Sequence, residues 1–261
     1  MKKVVVVHLH YLEVWGELAR SISIIDPDEL LITTTNLSKA KRLVLIDFPS
    51  ARIYELENRG RDIYPLIYLS KLGLFDEKAI VWKLHSKRSL HTLRGDKWRK
   101  ELVDSLARDE TRVKTIVSLV ENNEASLIGA EKYLTDLSHA NFLEHKNLFY
   151  SWSEQVNISL KGETYSYIAG TIFACDSRVL AQVKNISLNS DSFKLESNET
   201  IFGRWFAIKL FLLNLNSRIR LLNKARSDLD QKTRPASQET YAFEAFFGIL
   251  AQNFHGTKGL D

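Results

Sequence analysis

Cysteine is almost missing from this chain, with Cys175 alone among 261 residues. A lone thiol excludes an internal disulfide, and no Cys/His grouping has the spacing of a zinc site, so a reducing compartment is expected. Proline (4) and glycine (11) are scarce, which argues against collagen-like and low-complexity chains. Long apolar runs are missing too. After Met-Lys-Lys only four valines precede His8, too short a run for the core of an export signal. No stretch reaches the roughly 18 uncharged apolar residues of a membrane span, and the richest segment, 205–215, carries Lys209. The expectation is a protein without export signal or spanning helix, either cytoplasmic or resting on the inner face of the cytoplasmic membrane.

What is present suits one large globular domain: 44% apolar and 26% charged residues, enough to bury a substantial core. The net charge of +4 is unevenly spread. Residues 83–100 hold seven Lys and Arg against Asp96 alone, and residues 204–232 hold seven against Asp228 and Asp230. Such clusters read either as solvated helix faces or as local fields that gather anionic ligands. Nucleic acid is not expected, because no helix-turn-helix, zinc-finger or aromatic RNA-binding signature accompanies them.

β-Branched runs at Val4–Leu9, Leu30–Thr34, Arg52–Leu56, Ala79–Leu84, Ser126–Ala130 and Thr171–Ala174 read as strands. Between them, Asp96–Arg108 and Thr111–Glu121 carry apolar stripes at helical spacing. Strands alternating with helices predict an α/β fold, a mostly parallel sheet with helices on both faces. Ligands of such sheets bind beyond the carboxyl ends of the strands. Those ends are polar in succession: His8, His10 and Tyr11; Thr33–Asn36; Glu57-Asn58-Arg59-Gly60-Arg61-Asp62; and His85-Ser86-Lys87-Arg88-Ser89. Any one could cap a helix, and Asp62 stands where it would cap the helix through Leu66 and Leu69. Four together, with Arg59, Arg61, Lys87 and Arg88, suit a diphosphate, which guanidinium grips bidentately and ammonium attracts as a point charge. A nucleotide ligand follows as the expectation.

The strings Glu57–Ile63, Trp82–Ser89 and Gly95–Arg99, in that order and spacing, resemble the rhamnan synthesis protein F family of bacterial polysaccharide glycosyltransferases. His8-Leu9-His10-Tyr11, Ala169-Gly170-Thr171-Ile172-Phe173 and Tyr241–Gly248 are similar to further elements of it. Tyr241 and Ala245 depart from the pattern, where the family usually has His and Arg, and residues 185–232 match no part of it. The resemblance implies a GT-A-like fold. It implies transfer of a sugar, typically L-rhamnose from dTDP-rhamnose, to a lipid-linked cell-surface glycan. One glycosyltransferase domain over 1–261 is expected, with 1–185 binding the donor and 186–261 completing the acceptor side.

Sugar transfer needs stabilisation of the leaving diphosphate and deprotonation of the acceptor hydroxyl. Many GT-A enzymes hold a divalent metal with Asp-x-Asp after the fourth strand; here Leu84–Arg88 contains no carboxylate. No metal or other cofactor is therefore expected, with Lys87, Arg88 and His85 carrying the cationic role. Asn58, Arg59, Arg61 and Asp62 are donor-binding candidates, His8 and Tyr11 shape the pocket, and Gly170 lets the backbone approach a ligand. Glu244 is the first candidate for the acceptor base and Glu239 the second; Glu244 reads equally as a surface residue of a helix whose buried stripe is Phe243, Phe246, Phe247 and Leu250. Residues 201–226, apolar then basic, fit a membrane-surface helix or a core helix with a basic end. Two other functions stay open: the same fold using another nucleotide sugar, and a silent nucleotide- or carbohydrate-binding module of a larger synthase.

Overall fold

The computed structural model describes residues 1–86, 95–160, 165–188, 193 and 237–261. Among them seven strands form one sheet in the order β3-β2-β1-β4-β8-β5-β9. The first four, β1 (Lys2–His8), β2 (Glu29–Thr34), β3 (Arg52–Glu55) and β4 (Ala79–His85), are parallel. Helices α1 (Trp15–Ile25), α2 (Leu37–Asp47) and α3 (Ile63–Lys71) connect them. After β4 come α4 (Gly95–Ala107), α5 (Glu110–Glu121) and β5 (Leu127–Ala130). A two-stranded ribbon pairs β6 (Leu134–Asp136) with β7 (Ser166–Ile168), with α6 (His139–Glu144) and α7 (Lys146–Gln155) between them. β8 (Phe173–Asp176) runs antiparallel between β4 and β5, and α8 (Ser177–Ala181) follows it. The chain ends with α9 (Gln238–Gln252) and β9 (Thr257–Leu260), which lies parallel to β5.

The valine run of β1 follows from burial on both faces. Val4 and Val6 face a cluster with α3, α7 and α9; Val5 and Val7 face one with α1, α4 and α5. The α9 side is aromatic: Trp152 lies 4.5 Å from Phe243 and 5.2 Å from Phe246, and Phe173 lies 5.4 Å from Phe247, between ring centroids. Phe243, Phe246, Phe247 and Leu250 are all buried, as their helical spacing predicts. Cys175 is a buried strand residue whose thiol is pushed up by burial.

Alternation in β4 sends Trp82 and Leu84 to the α1 side, and Val81, Lys83 and His85 to the α3 and α9 side. The sheet register sets His8 of β1 beside His85 of β4. The even positions of β1 thus bring His8 to the same face. A charged and polar cluster lies at the carboxyl end of an otherwise apolar layer.

Candidate functional site

The floor of the site is a buried ion pair. Lys83 is 1% exposed and Asp62 4% exposed; the Lys83 ammonium donates to Asp62 Oδ2. The Thr171 hydroxyl donates to the same oxygen, and His85 Nε2 lies 3.9 Å from it. Asp62 therefore does not cap α3 as its position in the sequence suggested. Its backbone is already helical (φ −89°, ψ −4°) and makes no side-chain cap bond. A cap needs extended geometry to fold its carboxylate back onto the first turn. A charge-assisted bond to a buried ammonium is also the stronger one.

Of the described cations of the basic segment 83–100, two are not surface charges. Lys83 is internal, and Arg99, 3% exposed, donates to Glu17 Oε2 at 3.0 Å. Lys100 pairs with Asp104 one turn on.

Two turns form the rim. At the end of β3 the chain passes through Gly60 (φ 56°) and Arg61 (φ 51°), consecutive left-handed residues. This turns the two neighbouring arginines to different partners. Arg59 donates to Glu57 and lies over the Tyr64 ring at 5.7 Å, whereas Arg61 lies over the Tyr241 ring of α9 at 5.3 Å. Asn58 is half-buried in the same turn. Before β8, Gly170 (φ 98°) and Thr171 (φ 55°) form a second left-handed turn. Its carbonyl at Gly170 accepts from His85 Nε2 at 2.8 Å, and the Gly170 amide donates to Glu244 Oε1 at 2.5 Å. A side chain at Gly170 would strike Trp98 at 2.6 Å, so only glycine permits this approach.

The loop after β1 is clamped to β4. Ser86 Oγ accepts from the His10 amide at 2.9 Å and the Tyr11 amide at 2.8 Å, and the Ser86 amide donates to the His8 carbonyl at 3.0 Å. Tyr11 and His10 meet edge to face at 4.8 Å. His8 Nδ1 lies 3.1 Å from the Thr33 hydroxyl. Burial drives the His8 pKa down to about 3, against the pull of Asp62 and with the help of Lys83. At neutral pH His8 is an uncharged wall and not a proton donor.

The structure thus brings His8, Tyr11, Asn58, Arg59, Arg61, Asp62, His85, Gly170 and Glu244 to one end of the sheet. Glu239 is half-buried in the first turn of α9, five residues before Glu244 and so on a different face of the helix. Lys87, Arg88 and the segment 201–226 lie outside the described residues. Sequence reasoning missed Lys83, Thr171 and Ser86 as members of the site. Lys83 had a signal, a charge inside an apolar central strand, which must be paired; Ser86 stood among the polar strand ends and Thr171 in the family-like Ala169–Phe173 string, but neither was singled out there.

A family model described as rhamnan synthesis protein F matches residues 1–201. Uncharacterized protein WxcX of Xanthomonas campestris pv. campestris (strain ATCC 33913) is 32% identical over 134 residues, 50% of this chain and 19% of that protein. WxcX of strain B100 is 33% identical over 117 residues, 44% and 17% respectively. The chain thus spans less than a fifth of the curated relatives it matches. Among solved structures, 4-diphosphocytidyl-2C-methyl-D-erythritol synthase aligns at 12% identity with a TM-score of 0.35, over 80% of this chain and 99% of that one.

Proposed function

The chain belongs to the rhamnan synthesis protein F family, and we propose that within it the chain is a GT-A-like glycosyltransferase of polysaccharide synthesis. The donor is a nucleotide sugar, with dTDP-L-rhamnose the first choice, and the acceptor a lipid-linked glycan. The observation that carries this reading is the meeting of Glu244 with the Gly170 turn at the strand ends, beside Arg61. A carboxylate and a guanidinium then flank one rim, which is what transfer from a sugar diphosphate requires. Glu244 lies beyond the residues matched by the family model, so its role rests on geometry.

In the proposed step the acceptor hydroxyl oxygen bonds to the anomeric carbon from the face opposite the diphosphate. The anomeric C–O bond breaks with its electron pair leaving on the diphosphate, and the hydroxyl proton passes to Glu244, with inversion. Arg61, Lys87 and Arg88 hold the diphosphate, Asn58 and the His8–Tyr11 wall contact the rest of the donor, and no metal is used.

A nucleotide panel with and without EDTA tests this. Binding to the native state raises the melting temperature, so dTDP or dTDP-rhamnose is expected to stabilise the chain in EDTA. Slow release of dTDP is expected from the sugar nucleotide, falling about 100-fold or more in Glu244→Gln. A shift with UDP or GDP species alone keeps the enzyme and discards rhamnose. A full loss of activity in EDTA that manganese or magnesium restores overturns the metal-free step. Normal turnover by Glu244→Gln removes the base. No shift with any nucleotide overturns the donor assignment.

A further inference from the structure

Thr171 holds a left-handed backbone (φ 55°) although it is β-branched and 4% exposed. Such a residue is strained there and stays only where its surroundings over-determine it. The surroundings are specific. Its hydroxyl donates to Asp62 Oδ2, the carboxylate already held by Lys83, and also lies 2.8 Å from the Gly170 carbonyl oxygen. That carbonyl accepts from His85, and the Gly170 amide points at Glu244 Oε1. From below, Trp98 and Leu102 leave no room at Gly170 for a side chain. A buried ion pair is thereby linked, through one hydroxyl and one glycine, to the carboxylate at the rim.

We propose that Thr171 is a positioning residue for Glu244. Its hydroxyl, anchored on the Asp62–Lys83 pair, keeps the 170–171 turn in the strained conformation that aims the Gly170 amide at the carboxylate. The inference rests on the reading of Glu244 as acceptor base. Strain is retained because the unstrained turn would release that amide.

Three forms of the full chain separate positioning from simple support: wild type, Thr171→Ser and Thr171→Gly. They are compared by melting temperature, by kcat and KM for dTDP release from dTDP-rhamnose, and by amide hydrogen exchange at Gly170. Glycine adopts positive φ without strain, which offsets part of what is lost with the hydroxyl's bond to the buried Asp62 carboxylate, so Thr171→Gly is expected to melt within about 5 °C of wild type. Its kcat is expected to fall about tenfold or more with KM within about twofold, while Gly170 exchange speeds about tenfold. Thr171→Ser keeps the hydroxyl and is expected to restore both turnover and protection. A melting temperature lowered by more than about 10 °C, with activity falling alongside it in Thr171→Gly, would make Thr171 a structural residue only and overturn the proposal. So would a Thr171→Gly form with normal turnover and a protected amide, or a serine form as impaired as the glycine form. If wild type releases no nucleotide from any sugar nucleotide while Gly170 exchange follows the expected pattern, the transferase reading fails and the positioning of the carboxylate stands.

Discussion

The two halves of the sheet build the site by different means. In the parallel half, β1, β2 and β4 deliver side chains at or next to their last residues, His8, Thr33 and His85. In the mixed half β8 runs the other way, so its beginning lies at that rim, with Phe173 beside Lys83. An antiparallel strand offers there the turn that precedes it: the amide and carbonyl of Gly170 and the hydroxyl of Thr171. Side chains from one half meet backbone groups from the other, and Glu244 of α9 closes the contact. Parallel strands supply chemical variety at the site, whereas the reversed strand supplies fixed geometry.

The sharpest way to break this arrangement is at the buried pair of the parallel half, on which the Thr171 hydroxyl of the other half rests. Lys83→Met leaves the Asp62 carboxylate buried without its lysine, and removing one partner of a buried pair costs about 3–5 kcal/mol. Urea unfolding should show that loss, and the double variant Asp62→Asn/Lys83→Met should lose less than the two single changes together, because the pair is coupled. A Lys83→Met form within about 1 kcal/mol of wild type would mean that the pair behaves as an exposed one.

A smaller effect is expected where α9 seats on the ribbon. By helix propensity alone Gly248→Ala should stabilise α9 by about 1 kcal/mol. The added methyl, however, would lie 2.2 Å from the Ser166 carbonyl oxygen, and overpacking of that kind costs about 1–3 kcal/mol. Packing should win, with a lower midpoint in thermal unfolding. A stabilised Gly248→Ala would place α9 farther from β7.

The same contrast sets what the sequence could tell. β1, β2 and β4 were legible because burial on both faces forces continuous apolar, β-branched runs, and the stripe of α9 because Phe243, Phe246, Phe247 and Leu250 recur at helical spacing. β6 and β7, three residues each, are too short for any period to emerge. The reversal of β8 leaves no local mark, since the four buried residues Phe173-Ala174-Cys175-Asp176 carry no period that depends on direction. Asp62 misled because its fate is decided by Lys83, 21 residues on, and local capping rules do not see that far. In Ala-Gly-Thr-Ile the glycine invites a left-handed turn, yet nothing marks the threonine as sharing it.

The last expected effect is gentler and belongs to the parallel half alone. His8 titrates at about 3 in the fold and near 6.5 when unfolded, so its neutral form is the one the fold accommodates. Below 6.5 the unfolded chain binds the extra proton, and stability falls as pH falls until the folded group also protonates. From pH 7 to pH 6 this group should remove about 0.7 kcal/mol. His10, also lowered by burial, adds a change of the same sign. Replacing His8 by Asn removes the titration, so the test compares slopes and not absolute stabilities: unfolding free energy against pH should be flatter in His8→Asn across this range. Equal slopes would mean that His8 is hydrated in solution, and that the Thr33 side of the site is open to water instead of being the dry wall described above.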